Sequence, residues 1–163
     1  MRNYRAVMEE IARVLRPGGL FLSLEWGHFI TLHPSWHGDI STHAPASCRF
    51  FDTMNGVLGS YRDSQPVNTD MAQLLTNVGG FEDISTTTHY LPIGTWPADP
   101  ALRSMGEKNL AAQERYADSV RHSLVETGRP QEGVDLLLAE YLDEIRSVGG
   151  IASVCYAVCA RKV

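Results

Sequence analysis

Cysteine is scarce in this 163-residue chain, and the three present, Cys48, Cys155 and Cys159, form no Cys-x-x-Cys pair. An odd count cannot pair completely. Cys155 and Cys159 fall in an apolar run of strand character, where four residues separate same-face side chains by roughly 13 Å, too far for a disulfide. All three read as small buried hydrophobes of a reducing compartment. Basic charge is also short: 14 Lys and Arg against 19 Asp and Glu leave a net charge of −5. That balance argues against a nucleic-acid or anionic-membrane partner, since both need a basic face. No apolar run approaches the roughly 20 residues that span a bilayer. The opening Met1-Arg2-Asn3-Tyr4-Arg5 leads into an amphipathic pattern rather than a signal-peptide core.

The catalytic and binding motifs that are missing narrow the field further. There is no His-Glu-x-x-His, no Gly-x-Ser-x-Gly, no phosphate loop and no Gly-x-Gly. At 44% hydrophobic and 20% charged residues, the chain has the composition of an ordinary globular domain. The expectation is a single soluble intracellular domain, cytoplasmic or nuclear.

The patterning that is present alternates helix and strand. Tyr4, Val7, Met8, Ile11, Val14 and Leu15 recur at helical offsets. Arg16-Pro17-Gly18-Gly19 stops that helix, and Leu20 to Trp26 follows as a short apolar run that reads as an interior strand, covered on both faces and of parallel type. Residues 27–47 lack a period and read as a long loop. Phe50 to Tyr61 returns to helical spacing, and Thr69 or Asp70 is placed to cap a short helix ended by Gly79-Gly80. Phe81 to Leu91 is rich in β-favouring residues. Asp99 and Pro100 then set up a long helix, Gly128 ends it, and Pro130 starts another that runs to Gly149-Gly150. Ile151 to Ala160 is an apolar strand, with Arg161-Lys162 as a solvated tail. The fold class expected is α/β.

Glu10-Ile11-Ala12-Arg13-Val14-Leu15-Arg16-Pro17-Gly18-Gly19-Leu20-Phe21-Leu22 resembles the helix, turn and fifth strand of class I S-adenosylmethionine-dependent methyltransferases. Leu74-Leu75 leading to Gly80-Phe81-Glu82-Asp83-Ile84 resembles the next helix and sixth strand. Leu91-Pro92-Ile93-Gly94-Thr95-Trp96-Pro97 with Asp99-Pro100-Ala101-Leu102 is similar to a segment of the fungal secondary-metabolism type. Tyr156 to Lys162 resembles the ending of the last strand. The resemblance implies the C-terminal half of a Rossmann-like fold, its strands ordered 5-7-6. The expected divisions are a helix and strand five over 1–26, loop and helices over 27–80, strand six over 81–92, a helical insertion over 99–148 and the last strand over 151–161.

The same resemblance implies transfer of a methyl group from S-adenosylmethionine to a small-molecule or protein acceptor. In that family a Gly-rich turn and a strand-end acid hold the donor, and neither pattern occurs in these residues. No cofactor-binding residue is therefore assigned, and the isolated chain is expected to be inactive and to bind no donor. The free edge along Leu20 to Trp26 is an association hazard. It belongs either to a truncated product or to a subunit covered by a second copy or by a complementary methyltransferase half. A non-enzymatic interaction subunit, pairing through that edge, is the competing reading.

Candidate site residues follow from position. Glu25 and Trp26 are expected at the carboxyl end of a strand, where open α/β sheets place ligands: Glu25 to orient or deprotonate an acceptor, Trp26 to wall it. His28, nearest the strand end among His28, His33, His37 and His43, is a candidate base. Pro34 and Gly38 deny the histidines helical spacing, so no metal site is expected. Tyr61 and Arg62 are candidate substrate contacts, Arg62 for a carboxylate. Trp96 reads as a packing anchor.

Overall fold

A computed structural model describes residues 4–61 and 71–163. The elements run α1 (Tyr4–Val14), β1 (Leu20–Leu32), α2 (Ile40–His43), α3 (Pro45–Tyr61), α4 (Met71–Val78), β2 (Phe81–Pro92), α5 (Pro100–Glu126), α6 (Gln131–Ser147) and β3 (Ile151–Lys162). The protein is a mixed α/β chain. No helix among the described residues is long and apolar enough to cross a membrane. The cap expected at Thr69 or Asp70 lies outside the described residues.

The three strands form one sheet in the order β1-β3-β2. Gly18 N–H donates to Lys162 O and Lys162 N–H to Gly19 O, both at 2.8 Å, while His33 N–H donates to Gly150 O at 2.8 Å. The start of β1 thus meets the end of β3. On the other edge Val163 N–H reaches Gly80 O at 3.0 Å and Ile93 N–H reaches Ile151 O at 2.9 Å. The last strand lies between the other two and antiparallel to both, as its expected position requires. The parallel character read into residues 20–26 is corrected, because the strand bonded to β1 runs antiparallel.

The chain divides into two compact units, the first comprising Met1–Gly27, Gly59–His89 and Cys155–Val163. Its core is Met8, Phe21, Met71, Leu75, Val158 and Ala160, with Val7, Ile11, Leu15, Leu74, Phe81 and Ile84 packed around them. Leu15, rather than the exposed Val14 that ends α1, completes the stripe facing the sheet. The turn after it needs glycine: Gly18 sits at φ +76°, and a Cβ on Gly19 would lie 2.8 Å from Arg16 O.

Among the described residues, helices α1 and α4 cover one face of this part of the sheet and none covers the other. Phe21, Val158 and Ala160 point to the helices. Leu20, Leu22, Leu24 and Trp26 alternate to the other side and stand 69, 62, 62 and 55% exposed. The expectation of a strand covered on both faces is overturned. On β3, Cys159 alternates with the buried Val158 and Ala160 and is exposed, so the buried-hydrophobe reading fails for that thiol; Cys48 and Cys155 are half-buried and all three are free. Burial, and after it the charge of Glu25, pushes the Cys155 thiol pKa up.

The second unit comprises His28–Leu58 and Tyr90–Val154. Asp99 caps α5, accepting from Leu102 N–H at 2.9 Å, with Pro100 in the first turn as its fixed φ favours. Gly128, at φ +85°, turns the chain back into α6. Ion pairs link the two helices: Arg121 with Asp135, and Arg146 Nε with Glu114 at 2.8 Å. The amino end of α3 is held from α6, where the Glu144 carboxylate accepts from Ala46 N–H at 3.1 Å and Ser47 N–H at 2.7 Å. Those are two of the donors that a helix start leaves unpaired.

At the centre of this unit Phe50 stacks on Tyr141 at 4.1 Å, among Met54, Ile93, Leu124, Val134, Leu138, Ile145 and Ile151. A polar chain runs through it. Tyr141 Oη donates to Gln113 Oε1 at 2.8 Å, Gln113 Nε2 to Ser153 Oγ at 3.2 Å, and Asn109 Nδ2 to Pro92 O at 2.9 Å and to Ser153 Oγ at 3.2 Å. These bonds satisfy groups that would otherwise be buried at a penalty. Burial pushes the Tyr141 phenol well above its ordinary value near 10. An acid whose folded pKa is raised stabilises the fold below its unfolded pKa and loses that contribution as pH climbs through the folded one. Denaturant unfolding should therefore show stability falling above about pH 10. Tyr141→Phe should remove part of that fall and lower stability at neutral pH by about 1–2 kcal/mol, since Gln113 loses its donor.

Candidate functional site

The second unit gathers an aromatic and imidazole cluster where β1 and β2 reach their carboxyl ends and β3 begins. It starts with a turn. Pro34 follows His33, Trp36 N–H donates to His33 O at 2.8 Å, and His33 N–H is tied to Gly150 O. Ser35 N–H donates to His33 Nδ1 at 3.2 Å, with Ser35 Oγ 2.8 Å from the same nitrogen. Nδ1 is thus an acceptor, and the bonding assigns the ring proton to Nε2.

Rings pack edge to face around this turn. His33 lies 5.4 Å from Trp96 and 6.4 Å from Tyr90; Trp36 lies 5.8 Å from Trp96 and 5.4 Å from His43. Such geometry follows the ring quadrupoles. His43 Nε2 donates to Gly149 O at 2.8 Å, which fixes its tautomer in turn. Asp39 caps the short α2 that carries His43, accepting from Thr42 N–H at 3.0 Å and from Ser41 Oγ. Those bonds hold the Asp39 carboxyl below the usual carboxylate range.

Glycine makes room for the indole of Trp36. A Cβ on Gly150 would sit 2.4 Å from Trp36 Cδ2, and one on Gly149 3.2 Å from Trp36 Cζ2. One face of that indole therefore rests on bare backbone. A second close approach lies two residues before Trp96, where a Cβ on Gly106 of α5 would lie 2.1 Å from Gly94 O. Its Nε1–H is buried and finds no acceptor among the described residues, a penalty of about 1–3 kcal/mol.

The residues singled out from sequence are placed differently. β1 continues to Leu32, so Glu25 and Trp26 are mid-strand rather than at its carboxyl end. The Gly27-His28 pair reads as a break, yet Phe29 to Leu32 restores β-favouring side chains. Glu25 is half-buried and accepts from Ser23 Oγ at 3.2 Å, while Trp26 points to the opposite, exposed side. Both belong to the first unit and His28 to the second, where its carbonyl accepts from Asn55 Nδ2 at 3.0 Å. Tyr61 closes α3, its side chain outside the description, and Arg62 lies outside the described residues. The span read as a loop over 27–47 holds the end of β1, all of α2 and the start of α3.

His33 and His43 join the ring cluster, while His37 is exposed. Among the described residues no group of three or more His, Cys, Asp and Glu is arranged to hold a metal ion. Sequence reasoning misses Trp36 and Tyr90, and Trp96 is more than an isolated anchor. The available signal is the placing of aromatic residues beside turn-formers at both strand ends.

Replacing Gly150, whose φ is +84°, with alanine should push Trp36 off the turn. The expected result is a red-shifted tryptophan emission and a stability loss of about 2–4 kcal/mol in denaturant unfolding. No family model and no curated protein matches the chain.

Proposed function

We propose that these residues form the acceptor side of a class I S-adenosylmethionine-dependent methyltransferase of the fungal secondary-metabolism type. The observation that carries this reading is an order of parts. A helix, an Arg16-Pro17-Gly18-Gly19 turn and β1 are followed by β2, a two-helix insertion and a last strand that enters the sheet between the other two. The acceptor is a small molecule or a protein.

The donor's holding elements do not fit here. There is no Gly-x-Gly, and the glycine pairs are engaged by the chain itself. Gly18 and Gly19 bond to Lys162, a Cβ on Gly80 would lie 2.8 Å from Lys162 Nζ, and Gly149-Gly150 carries Trp36. No step through the donor is assigned to these residues.

A second reading, a non-enzymatic subunit that pairs through its sheet, is favoured by the row Leu20, Leu22, Leu24 and Trp26 on the strand with a free edge. Under both readings the isolated chain has no donor site. Isothermal titration with S-adenosylmethionine should give no saturable heat, and micromolar binding would contradict the proposal.

A further inference from the structure

We propose that the turn over residues 33–36 is an acid-sensitive latch: protonation of His33 breaks its bond from the backbone and releases the Trp36 indole from Gly149 and Gly150. The latch is independent of both readings of function. Its key contact is local. Ser35 N–H donates to His33 Nδ1 at 3.2 Å, so that nitrogen meets the amide with its lone pair. An imidazolium carries N–H on both ring nitrogens and has no acceptor. Once His33 is charged, Nδ1–H and Ser35 N–H point at each other. Ser35 Oγ, 2.8 Å from the same nitrogen, can change from donor to acceptor, but the amide cannot. The ring has to turn away.

It does not turn alone. His33 packs edge to face on Trp96 at 5.4 Å and on Tyr90 at 6.4 Å, and its carbonyl accepts from Trp36 N–H. Trp36 has no slack on its other side, where a Cβ on Gly150 would lie 2.4 Å from Cδ2. Rotation of His33 therefore displaces both indoles. The other titratable groups facing the cluster are Tyr90 on β2 and, across Trp36, His43 on α2. Tyrosine stays neutral throughout the acid range. His43 donates to Gly149 O, a bond that an imidazolium keeps. On the latch's own loop His37 is exposed and Asp39 is engaged in capping α2. Residues 94–97 and 149–150, packed on the same rings, carry no ionisable side chain. Acid thus acts through His33, closing the latch at neutral pH and opening it where histidine takes up its proton.

The test is acrylamide quenching in a Trp26→Phe background, where emission comes from Trp36 and Trp96 alone. The quenching constant should rise about twofold between about pH 7 and about pH 5, with unchanged circular dichroism. His33→Gln keeps an acceptor for Ser35 N–H and takes up no proton, so it should stay flat. His43→Gln should still rise. In nitrogen-15 spectra of the unaltered chain, the Ser35 amide should shift with the same midpoint as the His33 ring. Flat quenching in the background protein, an equal rise in His33→Gln, or a Ser35 amide that stays put while His33 titrates would overturn the proposal.

Discussion

The strand made last in the sequence is the one the other two depend on. β3 takes backbone hydrogen bonds on both edges, and β1 and β2 do not pair with each other. Ile151, at its start, belongs to the core of the second unit, and Val158 and Ala160 belong to that of the first. Its pairings join residues far apart in sequence, so loop-closure entropy opposes them until the whole strand is present. The ion pair of Arg161 with Asp83, at 3.6 Å and exposed, adds little to that.

Because the described helices of the first unit lie against one face of the sheet, β1 has two unlike sides. Phe21 is core, and its neighbours Leu20 and Leu22 are surface. A row of large apolar side chains on a strand that pairs along one edge among the described residues, with no charge between Leu20 and Leu24, lacks the usual guards against pairing. In the methyltransferase reading a further strand would pair along the edge of β1; in the subunit reading that pairing is the function itself. The second unit has its own answer to burial, satisfying Asn109, Gln113, Tyr141 and Ser153 among themselves.

Local chemistry was legible in the sequence. The Pro17-Gly18-Gly19 stop, the Asp99 cap with Pro100, the Gly128 break and the Pro130 start all sit where their backbone preferences put them. The extent and surroundings of β1 were not. An apolar run reads alike whether it is covered on both faces or bare on one, and Gly27-His28 imitates a strand end. The ring cluster was invisible for another reason: residues 33–43, 90–96 and 149–150 meet only through the sheet, and no local period links them. Adjacency pairs Glu25 with Trp26 in the sequence, but neighbours along a strand face opposite ways.

Both readings require that the exposed side of β1 be covered. Sedimentation velocity on the purified chain, beside a Leu22→Lys/Leu24→Lys double variant, tests it most directly. The unaltered chain should associate with rising concentration, and the double variant should stay monomeric with the same circular dichroism. An unaltered chain that stays monomeric at every concentration would contradict it.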